Sequence, residues 1–134
     1  MKVVKNEIRI NTRGEIDIVD ITRMVEDVVR NSGIKNGVAT IFIPGATGAI
    51  TTIEFEPNLI QDFKDILEKL VPKTGHYRHP INGHSHLRAS LLGPSLSVPI
   101  IGGTLILGTW QQIVFIELDV RPRSRRLIVQ VVGE

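Results

Sequence analysis

Apolar residues recur at intervals of three and four positions in two segments, which is the periodicity of an amphipathic helix. The first segment predicts a helix over about 21–31, with Asp20 as its N-cap and Gly33 as its stop. The second predicts a helix that begins near Pro57 and runs to about residue 70. Each has one apolar side, so each is expected to lie against a sheet.

Alternating or continuous apolar runs predict strands through most of the remaining chain. The predicted strands are 3–10, 15–19, 37–43, 49–55, 84–92, 96–100, 104–107, 111–119 and 125–132. Gly102 and Gly103 separate two of these runs and fit a tight hairpin turn. The late strands leave no room for crossover helices, which favours antiparallel pairing. We therefore expect an α+β fold, an antiparallel two-layer β-sandwich-like sheet flanked by two helices, in one domain over 1–134.

Composition excludes several classes of protein. The 134 residues contain no cysteine, so disulfides, thiolate metal sites and cysteine nucleophiles are excluded. No apolar run approaches the roughly 20 residues of a membrane-spanning helix, and the first residues lack the apolar core of a signal peptide. A cytoplasmic protein without a membrane partner is expected. The net charge of +2 and the 4% aromatic content give little support to a nucleic-acid partner.

All four histidines lie within the eleven residues from His76 to His86. In an extended strand, His84 and His86 would point to the same face, with Cα atoms about 6–7 Å apart. A third imidazole from the preceding loop would give a three-nitrogen site with one open position, as catalytic zinc requires. Solvated histidines at a polar strand end are the alternative explanation.

A small-residue loop at 44–49 separates two predicted strands. Its N–H groups could cradle an anion beside Thr47, or the loop could be a simple tight turn. Glu54, further along the second strand, could act as a general base or orient an imidazole, although a solvated strand face would also explain it.

Four arginines lie between positions 121 and 126, among them Arg125 and Arg126. Guanidinium groups bind phosphate through two hydrogen bonds, so a phosphorylated small molecule is a natural partner, and a solubilising hairpin is the alternative. The single tryptophan, Trp110, precedes Gln111 and fits either a core anchor or the wall of a pocket.

The segment NGHSHLRASLLGPS at 82–95 resembles the signature of the YjbQ family, whose members are often described as secondary thiamine-phosphate synthases. The segment GTWQ at 108–111, the segment PRSRR at 122–126 and the final VGE resemble that family as well. The resemblance covers nearly the whole chain. It implies an antiparallel sandwich-like fold with two helices, assembled as a homotrimer.

The family's motifs can be carried over residue by residue. Its Tyr-x-His matches Tyr77 and His79, its Ser-His matches Ser85 and His86, and its strand-end glutamate matches Glu54. Its Thr-Trp-Gln matches residues 109–111, and its paired arginines match 125–126.

Two departures from the family pattern change the expected site. Gly45 stands where many members have histidine, and Pro80 stands where many have aspartate. We expect His84 to replace the missing imidazole, so the predicted metal ligands are His79, His84 and His86. Because proline has no acid–base group, the role of that aspartate is not carried over to Pro80.

The resemblance implies an enzyme that couples a pyrimidine diphosphate to a thiazole phosphate. The predicted catalytic residues are His86, His79 and Glu54. The predicted substrate-binding residues are Thr47, Arg88, Arg125, Arg126, Trp110 and Gln111. The expected cofactor is a divalent metal, zinc or magnesium. The alternatives are a metal-dependent hydrolase of a small phosphorylated metabolite and a non-catalytic trimeric module that binds an anion.

Overall fold

The computed structural model describes all of residues 1–134 as eight strands and three helices. The strands are β1 (Lys2–Asn11), β2 (Asp17–Asp20), β3 (Gly37–Phe42), β4 (Gly48–Ile53), β5 (Ser95–Ile101), β6 (Thr104–Leu105), β7 (Gln112–Glu117) and β8 (Ser124–Gly133). The helices are α1 (Thr22–Ser32), α2 (Pro57–Leu70) and α3 (Gly83–Leu92). None of the helices has the length and apolarity needed to cross a membrane.

The strands form two antiparallel sheets. The large sheet has the order β1-β8-β3-β5-β6, and the small sheet has the order β2-β7-β4. In the large sheet the first strand pairs with the last, so that Lys2 lies opposite Gly133. The predicted α+β class with antiparallel strands in two layers is confirmed.

The small sheet lies between two apolar clusters because successive strand residues point to opposite faces. Ile113 and Phe115 of β7 join the main core, which the large sheet and α1 complete. Val114 and Ile116 of β7 join a second cluster, to which α2 contributes Leu67 and α3 contributes Ala89. With both faces covered, β7 is a nearly continuous buried run, and this layering places α3 against the small sheet.

The predicted strand over 84–92 is wrong, because these residues form α3 and raise the number of helices from two to three. The polar and apolar residues do alternate there, which imitates a strand. However, Leu, Arg and Ala favour helix, and the buried positions 84, 85, 88 and 89 share one helical side. The backbone N–H of Ser85 bonds the carbonyl of Asn82 at 3.0 Å, and helical bonding continues to Gly93.

The other two helices agree closely with the periodicity. Helix α2 has the predicted bounds, and the Glu56 carboxylate accepts the Leu59 N–H at its start. Helix α1 begins at Thr22, and Gly33 ends it in the left-handed conformation, as predicted. Asp20 is not its N-cap, but Asp20 accepts the Thr22 N–H at 3.0 Å.

Candidate functional site

The helical conformation of α3 separates the two histidines that were expected to share a face. Residues two apart on a helix are rotated by about 200° from each other. His84 is 1% exposed, and its Nε2 lies 2.7 Å from Oε2 of Glu15. His86 lies on the other side of the helix, half-buried, and its side chain forms no hydrogen bond within the chain. Its ring nitrogens are therefore available to a ligand.

His84 belongs to a network of ion pairs and hydrogen bonds that is centred on Glu15. Glu15 also pairs with Lys73, and the guanidinium of Arg88 lies 4.0 Å from Glu15. Burial raises the pKa of Glu15, but hydrogen bonds from Lys73 and His84 outweigh burial, so the pKa lies below its ordinary value. Arg88 donates to Glu68 at 2.6 Å and to the Val71 carbonyl at 3.0 Å. This network joins the β1–β2 turn to α2 and α3.

On the outer side of α3, His86 meets His79. The two rings stand edge to face, with centroids 4.8 Å apart. Nε2 of His79 lies 3.0 Å from Oδ1 of Asn82, and the Asn82 amide donates to Asp119 at 3.4 Å. With the amide oxygen as acceptor, Nε2 of His79 carries the proton and Nδ1 is the free acceptor of the neutral ring.

Asp119 is the negative end of this hydrogen-bonded chain. Burial raises the pKa of Asp119, whereas the Val120 N–H and the side chains of Arg123 and Asn82 lower it. The hydrogen bonds prevail, and the pKa lies below its ordinary value. Asp119 is therefore a carboxylate at neutral pH, which stabilises positive charge along the chain toward His79.

Arg125 lies next to the hydrogen bonds that link His79, Asn82 and Asp119. It is 4% exposed. Its Nε donates to Glu117 at 2.8 Å, and its Nη2 donates to Glu117 and to the Thr47 hydroxyl at 2.9 Å. Nη1 forms no hydrogen bond within the chain and lies 3.3 Å from the position that a Cβ on Gly45 would occupy. Arg125 is thus held rigidly, with one donor left beside the 45–48 loop.

Two cavities adjoin at His86, and we call them together the cleft. The glycine-loop lobe has a volume of about 180 Å³ and lies between Gly45, Gly48 and Ser90. The histidine lobe has a volume of about 450 Å³ and lies between His76, Arg78 and His79. His86 lines both lobes, and no carboxylate lines either lobe. The cleft therefore suits an anionic ligand.

Gly48 is required by close packing beneath the glycine-loop lobe. A Cβ at this position would lie 2.7 Å from the Phe115 ring, which belongs to the main core. Gly45 has φ of +137°, a conformation that favours glycine. A Cβ at Gly45 would also lie only 3.3 Å from Nη1 of Arg125, so a larger side chain here would press against that guanidinium.

The structure brings only part of the predicted site together. His79, His86, Thr47 and Arg125 lie at or beside the cleft. The metal site predicted from His79, His84 and His86 is not formed, because α3 directs His84 to Glu15. No group of three or more His, Asp or Glu side chains is arranged to hold a metal ion. The residues present therefore do not fit a three-imidazole zinc site.

Two of the predicted phosphate-binding residues, Arg88 and Arg126, form ion pairs away from the cleft. Arg88 is buried in the network around Glu15 and Glu68. Arg126 points to the outer face of the large sheet, since it follows Arg125 on β8, and its Nη1 pairs with Glu7 at 2.9 Å.

The remaining predicted residues lie at the far end of β4. Glu54 is exposed just beyond the strand and bonds no histidine; the glutamate that bonds an imidazole is Glu15. Gln111 donates to the Thr52 hydroxyl at 3.2 Å, and Trp110 beside it is 70% exposed. Thr52 is four residues from Gly48, about 13 Å along the strand. Within one chain these side chains do not reach the cleft.

Sequence reasoning missed Glu15, Asn82, Glu117 and Asp119. A signal for two of them was present, because Glu117 and Asp119 end an otherwise apolar run. Acidic residues in a buried strand need a partner, and here Arg125 and Arg123 supply it. Asn82 and Glu15 had no comparable signal, since their partners come from distant segments.

The fold and the cleft define a class: a small α+β domain with two antiparallel sheets and an imidazole- and guanidinium-lined cleft at one end of the small sheet. The model of the UPF0047 protein YjbQ-like family matches residues 6–134, so the chain belongs to that family. A UPF0047 protein of Methanothermobacter thermautotrophicus is 44% identical over 137 residues, covering 100% of this chain and 95% of that protein. The UPF0047 protein YugU of Bacillus subtilis is 33% identical, covering 94% and 97%.

Solved structures agree with this assignment. A YbjQ-like protein of unknown function from Sulfolobus solfataricus superposes with a TM-score of 0.96 at 36% identity, over 99% of each chain. A YjbQ/UPF0047 family protein from Clostridium acetobutylicum superposes with a TM-score of 0.90 at 39% identity, covering 95% of this chain and 99% of that one. These matches establish the family and the fold.

Proposed function

We propose that the protein is an enzyme that binds small phosphorylated metabolites in the cleft and joins a pyrimidine diphosphate to a thiazole phosphate. The observation that carries the proposal is the position of His86. Its free imidazole lies between two lobes without carboxylates, and the edge of His79 contacts its ring. Two lobes that adjoin at one acid–base group suit a reaction between two anionic molecules.

The glycine-loop lobe is the proposed site of one phosphate. The backbone near Gly45 allows close approach of an anion, and Nη1 of Arg125, buried just behind Gly45, forms no hydrogen bond within the chain. Because Glu117 and Thr47 hold the guanidinium in place, little ordering is needed when the anion binds. Both Thr47 and Arg125 were predicted to bind substrate. In this proposal Arg125 donates a hydrogen bond to the phosphate, and Thr47 only positions Arg125.

The coupling breaks the carbon–oxygen bond to diphosphate, which leaves with the electron pair, and forms a carbon–nitrogen bond to the thiazole. Negative charge therefore grows on the leaving oxygen. A proton on His86 would neutralise that charge. The chain from His79 through Asn82 to Asp119 would stabilise positive charge beside His86. These are the proposed roles of the predicted catalytic histidines.

The proposal does not depend on a resident metal. Zinc, or magnesium carried by a diphosphate substrate, is a separate proposal, checked by metal analysis of the purified protein and by assays with a chelator. The metal-dependent hydrolase alternative relied on three converging imidazoles, and that arrangement is not formed here.

The proposed assembly is the homotrimer that the family resemblance implies. The outer face of the large sheet supports an assembly, because a row of apolar residues crosses four strands there without a covering element. Val3 lies opposite Val132, Val132 opposite Val38, and Val38 opposite Pro99. Light scattering coupled to size exclusion would measure the mass of the assembly.

The test of the proposed function is thiamine-phosphate formation by the metal-replete, tag-free protein, compared with His86→Ala. We expect turnover to fall by about 10²–10⁴-fold, the usual contribution of a general acid. Asp62→Asn, on the exposed side of α2, is the matched control and should keep full activity. Equal trace product from the wild type and His86→Ala would contradict the proposal.

A second candidate is a non-catalytic module that binds anions, favoured by the absence of any carboxylate from the cleft lining. It predicts anion affinity that survives His86→Ala and is lost in Arg125→Gln. If the protein is an enzyme, His86→Ala should instead keep most of the anion binding and lose turnover.

A further inference from the structure

We infer that Arg78, together with His76 and His79, forms a second anion subsite in the histidine lobe, which binds a phosphate or diphosphate group of a substrate. The inference deepens the proposed function and rests on it for the identity of the ligand. No role was predicted for Arg78 from the sequence.

The ion pairs of the chain single out Arg78. Seven of the ten arginines pair with a carboxylate. The three that do not are Arg23, Arg78 and Arg121. Of these three, only Arg78 lines the cleft. An arginine without a carboxylate partner keeps its planar set of N–H donors for an incoming anion.

The surroundings of Arg78 are also suited to negative charge. Three imidazoles line the same lobe, from His76, His79 and His86. The only other polar lining side chain is the phenol of Tyr77, and no acidic residue contributes. The lobe therefore offers donors and positive charge without a competing carboxylate.

The loop that carries Arg78 is held in place by Tyr77. The phenol donates to the Pro72 carbonyl at 2.6 Å. The Tyr77 ring lies where a Gly75 side chain would be, and its Cβ lies 2.9 Å from the position of a Gly83 Cβ. Tyr77 is thus fixed between two glycines while His76 and Arg78 on either side of it are exposed. A fixed loop lowers the entropy cost of ligand binding.

The experiment is a titration with inorganic pyrophosphate, followed by calorimetry and by the NMR signals of the four histidine rings. The wild type is compared with Arg78→Gln and with Arg78→Lys. Arg23→Gln, an exposed arginine on α1 without a carboxylate partner, is the matched control. His84 is an internal reference, because it is buried and bonded to Glu15.

We expect pyrophosphate to shift the ring signals of His76 and His79 and to leave those of His84 unchanged. Arg78→Gln should weaken binding about tenfold or more, since a charge-assisted hydrogen bond is lost. Arg78→Lys should recover part of this loss through its charge, and Arg23→Gln should bind like the wild type.

Wild-type affinity in Arg78→Gln, or ring shifts confined to His86, would overturn the inference. These outcomes are distinct from failure of the proposed function. Pyrophosphate binding that depends on Arg78 in a protein without coupling activity would refute the enzyme and keep the subsite. Coupling activity that His86→Ala abolishes but Arg78→Gln leaves unchanged, in both kcat and KM, would refute the subsite and keep the enzyme.

Discussion

Each side of α3 carries a histidine, but the two histidines have different surroundings. On the inner side, His84 is enclosed and bonded to Glu15, and Arg88 one turn later is bonded to Glu68. On the outer side, the His86 ring packs against His79, forms no hydrogen bond within the chain and lines the cleft. On the inner side, His84 and Arg88 hold three segments together, although the buried Ser85 hydroxyl there has no partner, whereas the ring nitrogens of His86 on the outer side are open to the cleft. Two histidines two residues apart therefore differ in what they can do: the fold uses His84, and His86 remains available to a ligand.

The largest effect on stability is expected from Arg88→Met on the inner side. The change removes a buried guanidinium and leaves the Val71 carbonyl without its donor. We expect the free energy of unfolding to fall by about 3 kcal/mol. Denaturant titration measures it, and a loss below about 1 kcal/mol would show that the inner network is not a structural unit.

The next comparison sets His84→Ala against His86→Ala. Loss of the buried His84 imidazole should cost about 2 kcal/mol of unfolding free energy, because Glu15 loses a hydrogen-bond donor in a confined place. His86→Ala should change stability by less than about 0.5 kcal/mol, since no contact of the fold depends on the ring nitrogens. Equal losses in thermal or denaturant unfolding would remove the distinction between the two sides.

Acid sensitivity sharpens the same contrast. The folded pKa of Glu15 is lowered, although burial alone would raise it. Its contribution to stability is therefore fully present above the ordinary carboxyl pKa and is lost as pH falls through the lower, folded value. Glu15→Gln should flatten the fall in stability at acidic pH. Unfolding curves measured from pH 7 to pH 3 would refute this if both proteins lost stability in parallel.

A modest effect on stability is expected from Asn82→Ala on the outer side. Stability should change by about 1 kcal/mol or less, because His79 and Asn82 are exposed or half-buried. The tautomer of His79 should change more clearly, since the acceptor that holds the proton on Nε2 is gone. Ring ¹⁵N shifts at neutral pH measure the tautomer, and an unchanged Nε2–H population would show that Asn82 does not orient this imidazole.

The helices and strands followed from local patterns where one face of each element is buried. Helix α2 was predicted to its bounds, because its apolar stripe and the proline at its start agree. The turn at Gly102 and Gly103 was predicted from the pair of glycines between two apolar runs. In the structure both glycines adopt positive φ. Helix α3 was missed because its sequence alternates like a strand. Its buried side includes His84 and Arg88, which pair with carboxylates, and a search for periodic apolar residues does not count such polar residues as core.

For the candidate site, the sequence indicates residue types but not the positions of their partners. His79, His86 and Arg125 could be named because imidazole and guanidinium carry recognisable chemistry. Their partners could not, since Asn82, Asp119 and Glu117 meet them only after the strands pair. The error over His84 followed directly from the error over α3, because the face of a side chain depends on the element that carries it.

The strand order has a consequence for how the protein is made. Strand β1 pairs only with β8, so it has no partner in its sheet until residues 124–133 have been synthesised. In the small sheet, β2 and β4 are separated by β7 and wait for it in the same way. A nascent chain that ends before residue 124 therefore carries β1 as an unpaired ten-residue strand. Such a strand edge invites pairing with other chains.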